Sequence, residues 1–424
     1  MLIPDLYDIF LQHSSIQTDT RKLKEGDIFF ALKGPSFNGN EFAKQALDSG
    51  AAYAVVDEAT EPSDSRIIKV NDALQTLQQL AKYHRQQFDI PFIAITGSNG
   101  KTTTKELVHE VLNSTFTTYT TKGNLNNHIG IPLTILSVGM DAEMSVIEMG
   151  ANHQKEIESY CNYTLPTHGI ITNCGKAHLE GFGGIEGVRK GKGELYDYIR
   201  HNSGTIFLMK DYDYLVEMSK GITDIKTYGT ANADIVGTAD SSKEMLEVNM
   251  QSGTQIRNIK THLVGEYNLP NVLVAVAVGK YFNVPDEEIK AALENYIPSN
   301  SRSQLIEKDS NKIILDAYNA NPTSMKAAVE NIAKMTGDKV LMLGGMMEMG
   351  DESLKEHQAL IDLINKYQWK DVVLVGGDFN KVNNPYTTFA NSLEAGKWLK
   401  EKQFNYVTIL VKGSRSMQME KVLE

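Results

Sequence analysis

Cysteine is almost absent from this chain of 424 residues, which contains only Cys161 and Cys174. Two cysteines cannot build the disulfide framework on which small secreted domains depend. The N-terminal stretch MLIPDLYDIF carries acids and no basic residue, so it does not resemble a secretory signal. The sequence therefore predicts a protein of the reducing cytoplasm.

Long apolar runs and blocks of basic residues are also missing. No apolar stretch approaches the ~20 residues that a helix needs to span a bilayer, so no membrane span is expected. The formal net charge is −11 and the basic residues are scattered, which argues against a nucleic-acid surface. Charged residues make up 22% and hydrophobic residues 41%, and the length suffices for two or three globular domains. No pattern indicates self-association, so a monomer is the default expectation.

The most informative segment that is present is TGSNGKTTTKE, residues 96–106. It follows the apolar run 91–95 and opens a segment with helical periodicity. A glycine turn between a strand and a helix N-terminus forms an anion site, because its N–H groups and the positive end of the helix dipole point at the same place. Gly97 and Gly100 would let the backbone close around a phosphate. Lys101 would reach the terminal phosphates, and the Thr102 hydroxyl would ligate Mg²⁺.

This segment is two residues shorter than the full Walker pattern G-x-x-x-x-G-K-T. The alternative interpretation is a plain glycine turn followed by a surface lysine. The strand before the turn, the helix after it and three consecutive threonines favour phosphate binding instead. The sequence thus predicts that the chain binds a nucleoside triphosphate.

Three blocks of secondary-structure pattern follow one another along the chain. Residues 1–88 mix short strands with two helices, and residues 89–298 carry the phosphate loop among alternating strands and helices. Residues 299–424 form the third block, in which strands alternate strictly with helices from residue 302 on. Residues 233–264 are β-rich and polar, which predicts a hairpin layer beside the main sheet. Residues 298–301, Pro-Ser-Asn-Ser, are the expected linker and hinge. The predicted class is α/β, with largely parallel sheets covered by helices on both faces.

Three further residues are candidates for chemistry near the loop. Glu148 ends an apolar strand, where open α/β sheets place their ligands, and a carboxylate suits Mg²⁺. An acid facing water is an equally good interpretation of Glu148. His178 also follows a strand end, although a single histidine is more often structural than a ligand. Lys192 lies in a basic stretch and by composition belongs to an exposed helix, so spacing alone does not choose among the three.

A series of short sequence motifs, in fixed order along the chain, resembles those of the Mur ligase family. The motifs are TDTRKLKEGDIFFALKG (18–34), TGSNGKTTTKE (96–106), NLNNHIGIPLT (124–134), VIEMGANH (146–153), TNCGKAHLEGFGG (172–184), KGKGELY (190–196), GEYNLPN (265–271), LDAYNANPTSM (315–325) and LVKGSR (410–415). The resemblance covers almost the whole chain. It implies three domains: a small α/β domain for the UDP end of the substrate, a central P-loop-type parallel-sheet ATPase domain, and a Rossmann-like C-terminal domain.

The motifs DAYNANP and KGSR are similar to those of one branch of that family. The resemblance implies an ATP-dependent ligase that activates the carboxylate of UDP-N-acetylmuramoyl-tripeptide as an acyl phosphate and joins it to D-alanyl-D-alanine in peptidoglycan precursor synthesis. The implied cofactors are ATP and two Mg²⁺ ions. Another Mur ligase that adds a single amino acid is the alternative within the family. A P-loop kinase and a nucleotide-driven switch are the alternatives outside it.

The resemblance also implies roles for individual residues. Those implied to contact ATP are Gly97, Ser98, Asn99, Gly100, Lys101, Thr102, Thr103, Asn268, Asn271, Arg302 and Asp316. Those implied to hold metal are Thr102, Glu148, His178 and Lys192, the lysine as a carbamate, because an ammonium would repel Mg²⁺. The implied catalytic residues are Lys101, Lys192, His178 and Arg302. The implied substrate contacts are Thr20 and Arg21 at the diphosphate, Asn126 and Asn127 near the peptide carboxylate, and Asn319 and Asn321 near the dipeptide.

Two positions depart from the family's pattern. Asn38-Gly39-Asn40 stands where members often have Asp-Gly-His, which affects the expected pocket for UDP. Tyr267-Asn268 stands where members often have His-Asn. The second departure affects packing against adenine and leaves the phosphate chemistry untouched.

Overall fold

The computed structural model describes residues 1–13, 15–59, 64–299 and 301–424. Asn300, within the expected linker, lies outside the described residues. Three large sheets of four, nine and six strands follow one another along the chain, together with a two-stranded hairpin. No helix in the described ranges is long and apolar enough to cross a membrane.

The four-stranded sheet belongs to the N-terminal part of the chain. The strands of this part are β1 (Ile16–Gln17), β2 (Ile28–Phe30), β3 (Lys33–Gly34), β4 (Phe37–Asn38), β5 (Tyr53–Val56) and β6 (Ile67–Lys69), and its helices are α1 (Ile3–Gln12), α2 (Ala43–Asp48) and α3 (Ala73–Arg85). Strands β1, β2, β5 and β6 pair in parallel in that order, and β3 and β4 form the hairpin. The Asp72 carboxylate accepts the N–H of Gln75, which caps the start of α3.

The nine-stranded sheet occupies the middle of the chain. Its strands are β7 (Phe92–Thr96), β8 (Thr118–Thr120), β9 (Met144–Glu148), β10 (His168–Ile171), β11 (Thr205–Met209), β12 (Asp224–Gly229), β13 (Ile235–Ala239), β14 (Met245–Ser252) and β15 (Asn258–Val264). Its helices are α4 (Lys101–Asn113), α5 (Gly130–Leu136), α6 (Glu156–Thr164), α7 (Leu179–Phe182), α8 (Ile185–His201), α9 (Asp213–Met218), α10 (Leu269–Tyr281) and α11 (Asp286–Asn295).

The spatial order of this sheet is β15-β14-β13-β12-β11-β10-β7-β9-β8. Strands β8 to β13 and β7 run parallel, whereas β14 and β15 pair antiparallel at one edge. The segment 233–264, predicted as a layer beside the sheet, therefore continues the sheet itself. Strands β7, β9 and β11 are buried along their whole length, as expected of parallel strands covered on both faces.

The six-stranded sheet belongs to the C-terminal part. Its strands are β16 (Gln304–Lys308), β17 (Asn311–Asp316), β18 (Asp338–Gly344), β19 (Asp371–Val375), β20 (Thr387–Phe389) and β21 (Val407–Lys412), and its helices are α12 (Pro322–Lys334), α13 (Ser353–Ile364) and α14 (Ser392–Lys402). The order is β16-β17-β21-β18-β19-β20, with only β16 antiparallel. The predicted strict alternation is wrong at its start, because β16 and β17 follow each other as a hairpin.

Helix α10 lies almost entirely within the core of the middle part of the chain. Helix α10, LPNVLVAVAVGKY, is apolar on every side, and its residues from Val272 to Gly279 are all buried. A helix that is hydrophobic all round has no solvent face and belongs inside a core. It packs against α4, so the helix that follows the phosphate loop is held by a second, largely buried helix.

Candidate active site

A cavity of about 1220 Å³ opens at the carboxyl ends of the central parallel strands. Strands β7, β9 and β10 are neighbours, so the segments that follow them meet at one edge of the sheet. Residues of the six-stranded sheet line the opposite side. The predicted site residues that line the cavity are Ser98, Asn99, Gly100, Lys101, Thr102, Thr103, Asn126, Asn127, Glu148, His178, Asn268, Asn271, Arg302, Asp316, Asn319 and Asn321.

The phosphate loop has the predicted position between β7 and α4, and its two glycines have left-handed backbones. Gly97 has φ +145°, and a side chain there would collide with the hydroxyl of Thr172. Gly100 has φ +80°, and a Cβ there would lie 2.7 Å from Asn271 Oδ1. The N–H of Asn99 donates to Asn173 Oδ1 at 3.1 Å, which braces the loop from the segment after β10. Both glycines are therefore required by the backbone and by close neighbours.

Lys101 lies at the first position of α4 and turns back over the loop. Its Nζ donates to the carbonyl of Gly97 at 2.7 Å. Burial lowers the pKa of this lysine, the nearby charge of Glu148 opposes that shift, and Arg302 adds to it. Two cations that repel each other in a sheltered cavity create a local positive potential, which suits a polyphosphate.

Glu148 is the carboxylate that fits a metal ion. Its side chain is 1% exposed, so the interpretation that it faces water is wrong. Oε1 accepts the side-chain N–H of Asn126 at 2.7 Å, whereas Oε2 is buried without a hydrogen-bond partner. A buried, unpaired carboxylate oxygen is costly unless a cation or donor reaches it. The buried hydroxyl of Thr102 lines the same cavity.

The protein supplies few metal ligands of its own. Among the described residues, no group of three or more His, Cys, Asp and Glu side chains is arranged to hold a metal ion. Mg²⁺ commonly takes one or two protein ligands and completes its octahedron with phosphate oxygens and water. The unpaired oxygen of Glu148 and the Thr102 hydroxyl therefore fit a magnesium ion that arrives with a nucleotide.

Lys192 is buried, so its expected place on an exposed helix is wrong. The side chain is 1% exposed, its Nζ donates to Ala151 O at 2.9 Å, and it lies 4.9 Å from the centroid of the Phe182 ring. Burial, and then the charge of Lys101, lower its pKa to about 7. The pattern Val188, Lys192, Leu195, Ile199 marks the inner face of α8 and was the signal in the sequence.

His178 meets a residue that sequence reasoning missed. It stands at the start of α7, and its Nδ1 contacts the carboxylate of Glu348 from the six-stranded sheet. The hydrogen bond with His178 lowers the pKa of Glu348. Glu348 lies in GGMMEMG after β18, and only the general rule that ligands gather at strand ends could have indicated it.

Arg302 and Asp316 have partners within the C-terminal part of the cavity. The Arg302 guanidinium lies 3.5 Å from the centroid of the Tyr318 ring, and its Nε is buried without a hydrogen-bond partner. Asp316 Oδ2 accepts Lys412 Nζ at 2.6 Å, and Lys412 also donates to Asn319 O at 3.2 Å. Lys412 belongs to the motif KGSR. In the sequence this motif served only as a point of resemblance, and no role was predicted for Lys412.

Asn268 and Asn271 form a buried network at the start of α10. Asn271 Nδ2 donates to Asn268 Oδ1 at 2.9 Å, and Thr104 Oγ1 donates to Asn271 Oδ1 at 3.1 Å. The network joins α10 to the phosphate-loop helix. Tyr267, which departs from the family's pattern, has its hydroxyl 3.3 Å from Ser303 Oγ and so leans toward the C-terminal part.

Two further asparagines, Asn127 and Asn321, hold backbone in place around the cavity. Asn127 Oδ1 accepts the N–H of Gly130 at 2.9 Å. Asn321 caps α12 by accepting the N–H of Ser324 at 2.9 Å, and its Nδ2 donates to Asn99 Oδ1 at 2.7 Å. Asn321 therefore ties the C-terminal part directly to the phosphate loop.

Thr20 and Arg21 do not line this cavity. The Arg21 side chain is 86% exposed and pairs with Asp19 at 2.8 Å. Asn40, at the other departure from the family's pattern, is buried, and its Nδ2 donates to Asp57 Oδ1 at 2.8 Å. It joins the β3–β4 hairpin to the end of β5. The structure thus leaves the proposed UDP contacts apart from the main cavity.

Comparison with known families accounts for nearly the whole chain. Residues 13–85 match the Mur ligase family catalytic domain, residues 95–279 the Mur ligase middle domain, and residues 301–415 the Mur ligase glutamate ligase domain. UDP-N-acetylmuramoyl-tripeptide--D-alanyl-D-alanine ligase of Bacillus subtilis (strain 168) is 34% identical, with 96% of this chain and 92% of the relative covered. The chain belongs to the Mur ligase family.

Solved structures agree with this Mur ligase over almost its full length. A crystal structure of MurF from Acinetobacter baumannii superposes with a TM-score of 0.87 at 32% identity, covering 96% of this chain and 92% of that one. The crystal structure of MurF ligase from Thermotoga maritima in complex with ADP gives a TM-score of 0.87 at 25% identity and covers 97% of each chain. The predicted α/β fold with three domains is thereby confirmed.

Proposed function

We propose that this Mur ligase joins the amino group of D-alanyl-D-alanine to the carboxylate of UDP-N-acetylmuramoyl-tripeptide, with cleavage of ATP. The observation that carries the proposal is similarity over almost the full chain to relatives named for this reaction. The cavity supports it, because one space joins a phosphate loop, a buried carboxylate and residues of the C-terminal domain. The bound ADP of the Thermotoga relative supports ATP as the nucleotide.

The first chemical step activates the carboxylate of the substrate. A carboxylate is a poor electrophile, because its charge is shared by two oxygens and it has no leaving group. Transfer of the γ-phosphoryl group of ATP to one oxygen forms an acyl phosphate and ADP. Negative charge spreads over the phosphoryl oxygens in the transition state, so Lys101 and Arg302, which line the cavity together, stabilise it.

The second step forms the amide. The amine of the dipeptide attacks the acyl carbon, a tetrahedral intermediate forms, and phosphate leaves with the electrons of its C–O bond. No side chain has to act as a covalent nucleophile. The C-terminal domain contributes Arg302, Asp316 and Asn319 to the cavity wall, which excludes water that would hydrolyse the acyl phosphate.

We assign the metal-binding role to Thr102, Glu148, His178 and Lys192. Mg²⁺ bound there would neutralise charge on the phosphates. Glu148 supplies an unpaired buried oxygen, and the low pKa of Lys192 provides the neutral amine that captures CO₂. Capture converts the amine to a carbamate and releases one proton, which replaces a buried cation with an anion able to orient a metal.

The remaining assignments follow the resemblance. We place the UDP-binding domain at residues 1–88, the ATP-binding domain at 89–298 and the C-terminal domain at 299–424. Thr20 and Arg21 belong to the diphosphate end of the substrate. Both cysteines are free and buried thiols, which is in keeping with a cytoplasmic enzyme.

A coupled assay of ADP and inorganic phosphate tests the proposal. Release of both products should require ATP, the UDP-linked tripeptide and D-alanyl-D-alanine together. Replacing the dipeptide with single amino acids separates this activity from that of a Mur ligase that adds one residue. ATP hydrolysis without any amine would indicate a nucleotide switch, and phosphate retained on the product would indicate a kinase. Either result would refute the proposed reaction.

A further inference from the structure

Two non-glycine residues beside the cavity have left-handed backbones, and their side chains meet. His178, at the start of α7, has φ +52°, and Glu348, between β18 and α13, has φ +60°. The His178 Nδ1 contacts the Glu348 carboxylate. Residues other than glycine rarely adopt this backbone region, so the surrounding structure has to hold both of them there.

The segment that carries Glu348 is anchored within the six-stranded sheet. The N–H of Met346 donates to Nε2 of the fully buried His357 at 3.1 Å. The hydroxyl of Ser414, in the motif KGSR, donates to Gly345 O at 2.7 Å. These bonds fix the segment at its start, so Glu348 is presented from a held loop rather than from a free one.

The same segment packs directly on the short helix that follows His178. The N–H of Glu180 donates to Glu348 O at 3.4 Å. A Cβ on Gly350 would lie 3.3 Å from Glu180 Cβ, so the two backbones approach closely. The contact between Glu348 and His178 is therefore part of a wider seam between the nine-stranded and six-stranded sheets.

The chemistry of the pair decides the state of the imidazole. A carboxylate only accepts hydrogen bonds, so the proton of a neutral His178 lies on Nδ1 and the lone pair on Nε2. His178 lines the cavity, whereas Glu348 is not among the residues that do. Glu348 thus acts from behind the histidine.

We infer that Glu348 is a positioning residue, which fixes the tautomer and ring orientation of His178 only when the C-terminal domain lies against the central domain. The inference rests on the proposed function. It adds a link between domain arrangement and phosphoryl transfer: without Glu348 in place, Nε2 of His178 is not held ready for the metal. A carboxylate that orients a metal-binding histidine typically contributes about 10- to 100-fold in metal affinity or activity.

The test compares Glu348→Ala and Glu348→Gln with a matched control, Glu244→Gln. Glu244 forms an ion pair with Lys312 at 2.6 Å and also joins the nine-stranded to the six-stranded sheet, but it does not line the cavity. All variants receive two measurements: Mn²⁺ binding by electron paramagnetic resonance with a non-hydrolysable ATP analogue, and kcat and KM in the coupled assay.

Glu348→Ala should lower Mn²⁺ affinity and kcat by about 10-fold or more, with a smaller change in the KM of the dipeptide. Glu348→Gln keeps an acceptor oxygen and should recover part of both. Glu244→Gln should match the wild type. Thermal unfolding shows whether each variant is folded. If Glu348→Ala is not folded, the comparison of Glu348→Gln with Glu244→Gln serves as the test.

Mn²⁺ binding and kcat in both Glu348 variants equal to those of Glu244→Gln would overturn the inference. Failure of the proposed function is a different result. In that case the wild type itself would release no ADP that depends on both substrates, while the Mn²⁺ comparison would still report on Glu348.

Discussion

The side chain of Lys192 shows how a single buried residue acquires unusual chemistry. A lysine in a dry site disfavours its own charged form, and the neighbouring charge of Lys101 adds to the effect. With a pKa of about 7, much of this amine is neutral under physiological conditions. An ordinary surface lysine is almost wholly charged there and offers very little neutral amine.

Replacing this amine should strongly reduce turnover. Lys192→Ala removes the amine that we propose forms a carbamate, and we expect kcat to fall by about 100-fold, as for loss of a metal ligand's support. Added bicarbonate should not restore it, because no amine remains. The control is Lys190→Ala, two residues earlier on an exposed face of α8. Full activity of Lys192→Ala in the coupled assay would show that the carbamate assignment is wrong.

The same lysine should make stability depend on pH. Its folded pKa of about 7 lies below the ordinary value of 10.5, so the unfolded chain binds more protons between these values. The free energy of unfolding of the wild type should therefore rise with pH relative to Lys192→Met, by about 1 kcal/mol per pH unit. Urea unfolding in CO₂-free buffer at several pH values between these limits measures the difference. A difference that stays constant across this window would contradict the shift.

At the scale of elements, the phosphate loop and α4 act as one unit. Helix α4 begins with Lys-Thr-Thr-Thr and has no acidic residue in its first turn, so its positive end is left for an external anion. Gly100 stands at the N-cap with a left-handed backbone. The network of Asn271 and Thr104 fastens this turn to α10. The unit depends on a backbone shape that only glycine supplies without strain.

Gly100→Ala should weaken nucleotide binding beyond what strain alone explains. The new Cβ would lie 2.7 Å from Asn271 Oδ1 in a backbone at φ +80°. We expect affinity for a non-hydrolysable ATP analogue to fall by about 10-fold or more, with a stability loss of about 1–2 kcal/mol. Gly123→Ala is the control, because Gly123 also has positive φ (+56°) but no atom within 4 Å of the added Cβ.

Calorimetric titration and thermal unfolding of both glycine variants decide the matter. The control should lose stability through backbone strain and keep its nucleotide affinity. Equal affinities in the two variants would mean that the turn at Gly100 tolerates a side chain, and the role of its contact with Asn271 would have to be abandoned.

At the scale of the whole molecule, polar pairs recur between the nine-stranded and six-stranded sheets. Lys176 pairs with the buried Glu356 at 2.5 Å, Lys334 with Glu266 at 2.9 Å, and Asn99 with Asn321. Interfaces between domains that rely on polar contacts separate more readily than large apolar ones. This seam therefore suits the proposed reaction, in which three substrates enter and water is then excluded.

Asn321 should matter for activity more than for stability. Asn321→Ala removes both the cap of α12 and the bond to Asn99 in the phosphate loop. Asn391 caps α14 with the same geometry, since it accepts the N–H of Glu394 at 3.0 Å, but it lies outside the cavity. Each substitution should cost about 1 kcal/mol of stability through loss of the cap.

Only Asn321→Ala should also impair catalysis. We expect its kcat/KM for ATP to fall several-fold, whereas Asn391→Ala should retain the wild-type value. Steady-state kinetics and urea unfolding on the same preparations separate the two effects. If both variants lose activity to the same extent, the contact between Asn321 and the phosphate loop has no role of its own.

Local patterns in the sequence determined the features that depend on neighbouring residues. The run from β7 through the phosphate loop into α4 follows from an apolar strand, two glycines and a helical stripe, and it was predicted correctly. The buried stripe of α12, from Met325 to Ile332, follows from helical spacing in the same way. The resemblance to known ligases extended the prediction to the whole fold, because motifs that occur in the same order imply secondary-structure elements in the same order.

Tertiary structure alone decided the features that join distant parts of the chain. Glu348 contacts His178 across 170 residues, and Lys412 reaches Asp316 across 96. The extension of the sheet by β13 to β15 and the burial of Asn40 against Asp57 likewise depend on partners that local periodicity does not identify. A side chain's burial and charge partners are set by packing in three dimensions, so the burial of Lys192 and the contact of His178 with Glu348 depend on how the sheets lie together.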